Sequence, residues 1–211
     1  MTNGVELAVK PARKMPRQKP GRSFQAYGTP KVFLDAVKAR FGIKHFDWDL
    51  AATKANAVDG LGSVRSYFGP DHFAAGCRNA LSPDNDWKDV DDRIDNANLW
   101  LNPPFADIAP WVEKCAASAW WESEKSKRGP GAADGRRIFL LVPAAVGSNW
   151  FSMHVHKKAL VLVLNGRITF DGCPPNPKTG KVDPYPKDCM LCVYGAKPGF
   201  DIWRWGGGEA K

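Results

Sequence analysis

No apolar run in this sequence is long enough to cross a bilayer. The longest, "ALVLVLNG", falls far short of the roughly 20 residues that a spanning helix needs. The N-terminus is basic but lacks the apolar core of a secretory signal. Cysteine is scarce: five residues, an odd number, are scattered along 211 positions, which fits reduced thiols better than a disulfide framework. These absences predict a cytoplasmic protein without a membrane partner. Metal-site patterns are thin as well. Cys189 and Cys192 form one Cys-x-x-Cys with no second pair, whereas zinc normally takes four ligands. Residues three apart on a strand point to opposite faces. His154 and His156, two apart in an expected helix, do not share a face. No metal site is therefore expected. No Ser/His/Asp set, phosphate-binding glycine loop or internal repeat is apparent.

What is present is an ordinary globular composition, 44% hydrophobic and 25% charged, with an uneven net charge of +8. Residues 1–22 carry six Lys/Arg and one Glu, or +5, without sustained periodicity. They read as a disordered basic arm. Residues 84–95, "DNDWKDVDDRID", carry −4. Such asymmetry suits a nucleic-acid partner on one face, or equally a solubilising tail. The expected organisation is the arm, a single domain over residues 23–205 and a flexible tail over 206–211.

Order should begin near "YGTPKVFLDAVKARFG". Thr29 is placed to cap a helix and Pro30 suits its first turn. Val32, Phe33, Ala36, Val37 and Phe41 form its apolar face, and Gly42 stops it. Strands are expected at "HFDWDLAA", "VRSYFG", "NLWLNPPF", "RRIFLLVPAA", "LVLVLNGRITF" and "DCMLCVYG". Helical spacing follows the third, through Ile108, Trp111, Val112, Cys115, Ala116, Ala119 and Trp120. A further helix is expected in "GSNWFSMHVHKKA". Continuous apolar strands alternating with helices predict an α/β fold, a mostly parallel Rossmann-like sheet covered on both faces. The last two strands lack a helical connection, so they should form an antiparallel pair. Trp203 and Trp205, in "FDIWRWGGGE", should dock the chain's end onto the domain, with contact to DNA as the alternative.

One stretch carries chemistry. The strand "NLWL" ends in Asn102, Pro103, Pro104 and Phe105. Neither proline can donate to a sheet, so the strand gives up pairing there to hold a fixed extended shape. That shape suits the methylation of a nucleobase amine. Such an amine is a poor nucleophile, because its lone pair is delocalised into the ring. Hydrogen bonds accepted from its N–H groups localise the lone pair. The Asn102 side-chain oxygen supplies one acceptor and the Pro103 carbonyl, held rigidly by Pro104, another. Phe105 would stack on a base taken out of the duplex. The methyl donor must be an electrophile such as S-adenosylmethionine. The competing structural reading is a strand-ending turn that packs Phe105 into the core.

The stretch resembles the [DNS]-P-P-[YFW] motif of amino-methyltransferases. The chain is similar, over roughly residues 27–195, to the phage DNA N-6-adenine methyltransferase family. "TP", "FDWDLAATKANA", "YFGPD", "NAL" before "DW", "WLNPPF", "LLVPAAVGSNWF" and "NGRITF" match it in order. The resemblance implies an S-adenosylmethionine-dependent enzyme acting on adenine N6 in double-stranded DNA. It also implies a phage-encoded role in marking DNA against nucleases. It places Asp47, Asp49, Ala51 and Ala52 at the amino-acid end of the cofactor, where a carboxylate meets the ammonium and small residues admit the ligand. The segment departs from the Gly-rich loop of the wider superfamily. Thr29 and Pro30 would close the pocket near the methionine end, and Asp71 would face the ribose hydroxyls. Asn79 stands where the family commonly has Asp and would face the adenine amine. Phe105 replaces the commoner Tyr. Cytosine-N4 methylation, RNA adenine methylation and a silent binding module are the alternatives. There is no long insertion to read a target sequence. That task falls to short loops, such as 53–63, 122–137 or 171–188.

Overall fold

A computed structural model describes residues 27–58, 67–87, 97–118 and 136–206. The arm 1–22, Ala119, Trp120, most of the loop 122–137 and part of the loop 53–63 lie outside the described residues. Six strands form one mixed sheet: β1 (Trp48–Asp49), β2 (Asn98–Leu101), β3 (Arg137–Pro143), β4 (Leu160–Asn165), β5 (Cys189–Tyr194) and β6 (Gly199–Arg204). Their order is β1-β2-β3-β5-β4-β6. The helices are α1 (Lys31–Phe41), α2 (Ala109–Ser118) and α3 (Asn149–His154).

Three pairings are parallel: β1 with β2, β2 with β3, and β4 with β6. The expected antiparallel pair of β4 and β5 is present, and β5 also runs antiparallel to β3. It is therefore wedged between two neighbours and buried along its whole length. The apolar runs reflect burial on both faces. From β3, Ile138, Leu140 and Val142 join Val112, Cys115 and Phe151 in one core, on the side of α2 and α3. Phe139 and Leu141 join Phe33, Leu34 and Val37 of α1 in the other.

Several expectations shift in detail. The strand read over "HFDWDLAA" contracts to β1, although Asp47 N and Leu50 N still donate to Asn98 O and Trp100 O at 2.8 Å. Of "VRSYFG", Tyr67 makes a single bridge to Asp49, and residues 64–66 lie outside the described part. Pro30, not Thr29, caps α1. Its carbonyl accepts from Phe33 N and Leu34 N, so Thr29 sits one position too early to serve. Its hydroxyl is buried without a hydrogen-bond partner. Val32 is 65% exposed, while Leu34 is buried instead. Gly42 ends the helix at φ 63°, the left-handed geometry a glycine adopts without steric cost.

The docked end is an edge strand. Trp203 packs on Phe33 at 5.9 Å between ring centroids, and Trp205 Nε1 donates to Gly166 O at 2.9 Å. Asp201 Oδ1 accepts from Ile202 N at 2.8 Å, and Arg40 lies 3.5 Å from the same carboxylate. A side chain thus satisfies one edge N–H, which blunts the edge against further pairing.

Candidate active site

The carboxyl ends of β1 and β2 open onto two cavities. β2 stops at Asn102 because Pro103 and Pro104 bring no N–H to the sheet. The chain then turns into α2, with Asp107 N donating to Pro104 O at 3.4 Å. The first cavity, about 360 Å³, lies between the loop after β1 and the segments around Gly69 and Asn79. Its walls include Ala51, Ala52, Phe68, Arg78, Asn79 and Trp111. The second, about 580 Å³, is walled by Pro103, Phe105, Trp150, Phe170, Tyr185 and Lys187. Tyr27 and Asn102 line both. Asn102 therefore stands in the partition, with its Nδ2 donating to Tyr27 O at 3.1 Å.

The first cavity owes its floor to two carboxylates spent on backbone. Asp49, at the end of β1, accepts from Ala51 N at 3.2 Å and from Val58 N at 3.1 Å, so both its oxygens brace the loop 51–58. Asp71 accepts from Lys54 N at 2.9 Å. Asp47 accepts from Asn98 N at 2.7 Å and pins β1 to β2. None of these three lines either cavity, nor do Thr29 and Pro30, whereas Ala51, Ala52 and Asn79 line the first. Asn79 Oδ1 accepts from Leu81 N at 3.0 Å, which leaves its amide N–H groups as the part open to a ligand. Opposite Ala52, Gly69 has no room for a side chain: an added Cβ would lie 1.8 Å from Ala52 O.

In the second cavity three rings meet edge to face. Phe105 lies 5.8 Å from Phe170 and 5.4 Å from Tyr185, and those two lie 5.7 Å apart. Each pair holds the others' orientation, at roughly 0.5–1.5 kcal/mol per pair. Burial pushes the Tyr185 phenol above its ordinary value, so it stays a neutral O–H.

The sequence profile of the DNA N-6-adenine-methyltransferase (Dam) family matches residues 19–197. The chain belongs to this family. No curated protein and no solved structure matches it. The matched span contains both cavities, and membership supports methylation of adenine N6 in DNA. For this adenine methyltransferase, the sequence singled out none of Tyr27, Arg78, Phe170 and Tyr185, which line the two cavities. Phe170 ends the quoted "NGRITF" and Tyr185 sits in the Pro-rich loop. Their signal was present, but their meeting with Phe105 was not legible. Of the three loops expected to read the target, 171–188 borders the second cavity.

Asp49 yields a prediction for the enzyme's pH dependence. Burial raises its carboxyl from 3.8 to about 7, against the two N–H donors, which favour the ionised form. The folded-state value lies above the unfolded one, so protonation favours the fold. That contribution is complete below about pH 4 and is lost as pH rises through about 7. Asp49→Asn loses one acceptor but cannot ionise. Its stability relative to wild type should therefore improve as pH rises from 4 to 7, by on the order of 4 kcal/mol at most. Denaturant melts across that range test this, and parallel curves would show that the Asp49 carboxyl is not raised.

Proposed function

We propose that the chain transfers a methyl group from S-adenosylmethionine to the N6 amine of an adenine turned out of duplex DNA. The carrying observation is Asn102 in the wall shared by the two cavities. The first cavity has the size of a small-ligand site, roughly 300–1,000 Å³. Its residues fit the cofactor: Phe68 and Trp111 offer flat apolar surface, Asn79 offers amide donors to a purine ring nitrogen, and Arg78 offers a cation to a carboxylate. Ala51 and Ala52 let backbone approach the ligand. When bound, S-adenosylmethionine supplies an electrophilic methyl group on a sulfonium. The sheet then reads as a Rossmann-like methyltransferase sheet, with its ligand at the carboxyl ends of the strands.

The second cavity takes the target base. Asn102 Oδ1 and the Pro103 carbonyl accept the two N–H bonds of the amine, which draws its nitrogen toward tetrahedral geometry and frees the lone pair. As the new N–C bond forms, the methyl–sulfur bond would break with its electron pair remaining on sulfur as a neutral thioether; the nitrogen then bears positive charge and loses one proton to water. Phe105, with Phe170 and Tyr185 behind it, gives the extruded base an apolar surface in place of its stacked neighbours.

The deciding experiment follows tritium from methyl-labelled S-adenosylmethionine into duplex DNA, RNA and protein, with nucleoside analysis of the product. Label should appear as N6-methyladenine in DNA. Label in cytosine or in RNA alone would move the substrate, and cofactor binding without transfer would leave a silent module.

Two further results are expected. Phe105→Tyr and Phe105→Trp should retain turnover, while Phe105→Ala should lose roughly 1–3 kcal/mol of base stacking. That loss should shrink when the target adenine is mismatched, because such a base costs less to unstack. Equal losses on matched and mismatched duplexes, in proportion to lowered melting temperature, would make Phe105 core filler. Deleting residues 1–22 should weaken duplex binding and flatten its salt dependence, by about 0.9 in slope for each phosphate that the arm neutralises. Sequence preference should be unchanged, since phosphates carry none. An unaltered slope would reduce the arm to a solubility tail.

A further inference from the structure

A side-chain amide has two ends of similar shape and opposite function. If Asn102 turned its NH2 toward the adenine amine, donor would face donor and no acceptor would reach the reacting nitrogen. The selection comes from 75 residues earlier, where the Tyr27 main-chain carbonyl lies 3.1 Å from Asn102 Nδ2. A carbonyl only accepts, so only the NH2 end of the amide can face it. The oxygen end is then left for the ligand side.

We propose that the Tyr27 main-chain carbonyl is a positioning group for methyl transfer, fixing the Asn102 amide with its oxygen toward the substrate amine. This rests on the methyltransferase reading above. The carbonyl is itself held in place. Gly28 N donates to Asp171 O at 3.1 Å and Asp171 N donates to Gly28 O at 2.9 Å, which ties the strap formed by residues 27–30 to the chain beyond β4. On its other side the strap runs into Pro30 and α1, whose Phe33 is fully buried between Trp100 and Trp203. The strap thus links α1 to the loop bordering the base cavity, and the Asn102 amide is held at Tyr27. The role belongs to backbone, so the side chain at position 27 does not announce it.

Asn102→Asp tests the proposal. An ionised carboxylate has no donor for Tyr27 O and is repelled by it. A protonated acid restores both functions, donating to the carbonyl and accepting from the amine. The ionised carboxylate still accepts from the amine but is no longer held by Tyr27 O, so the variant should keep a reduced turnover, and the ratio of Asn102→Asp turnover to wild-type turnover should rise as pH falls and level off once the acid is fully protonated. The titratable groups lining the cavities, namely Tyr27, Arg78, Cys173, Asp183, Tyr185 and Lys187, are common to both proteins, so their own effects cancel in the ratio. A folded variant whose ratio is flat with pH, whether active or dead, overturns the proposal.

A double-mutant cycle covers the case in which that variant does not fold. Gly28→Pro removes the N–H that ties the strap to Asp171. Acting through Asn102, it should lower kcat in the wild-type background and cost little more in Asn102→Ala. Equal fold-losses in both backgrounds would overturn positioning. Wild-type protein that binds S-adenosylmethionine yet methylates no DNA would instead remove the underlying functional reading.

Discussion

Asn102→Ala is expected to slow methyl transfer by roughly 10²–10³-fold, the equivalent of about 2.7–4 kcal/mol for one missing transition-state acceptor. Folding and cofactor affinity should nearly survive. Asn102 is half-buried and is one of fifteen residues that line the first cavity, among them Phe68, Arg78 and Asn79. The truncation also deprives Tyr27 O of its amide donor. An unsatisfied buried acceptor costs about 1–3 kcal/mol at most, and a half-buried one beside an open cavity costs less. Turnover measured beside calorimetric titration of S-adenosylmethionine separates the two losses. Turnover within a few-fold of wild type would mean that the amide accepts nothing at the transition state.

Gly69→Ala should be the most damaging single-methyl change at the site. The added Cβ would meet Ala52 O at 1.8 Å, Ala52 C at 2.9 Å and Tyr67 Cε2 at 3.2 Å. The first two are backbone atoms, so no flexible side chain can move aside. The two segments are stitched together there by Ala52 N donating to Phe68 O at 2.9 Å, and relief of the clash must break that bond. Overpacking of this kind costs about 1–3 kcal/mol and occasionally more. Because Ala52 and Gly69 both line the first cavity, cofactor affinity should fall even at temperatures where the variant is fully folded. Gly76→Ala is the control. An added Cβ there meets nothing within 4 Å, and the loss of backbone freedom in the unfolded chain should leave stability unchanged or raised by about 0.4–1 kcal/mol. Equal melting temperatures for the two variants would show that the close approach at Gly69 is not structural.

The sequence alone determined what depends on a residue and its near neighbours. Pro103 and Pro104 cannot donate, so β2 had to end at Asn102 wherever the strand lay. Gly42 could take a left-handed conformation, so α1 stopped there. Apolar residues on both parities of β3 and β5 required cover on two faces, which indicated an α/β sheet, and the loop without helical pattern between the last two expected strands indicated their antiparallel pairing. The tertiary structure alone decided what each polar group would meet. Asp47, Asp49 and Asp71 look alike in sequence, as carboxylates near a ligand loop. In the fold their oxygens accept from Asn98, Ala51, Val58 and Lys54 backbone N–H groups, and none lines either of the two cavities at the ends of β1 and β2. Phe105, Phe170 and Tyr185 converge only because β4 and the loop after it return to the end of β2. β6 was hidden because all its residues but Trp203 are exposed, and its pairing with β4 is not local. Local rules extend over a few residues, set by sterics and by the reach of one hydrogen bond. Which donor answers a given acceptor across 75 residues, as at Tyr27 and Asn102, is settled only when packing brings the two together.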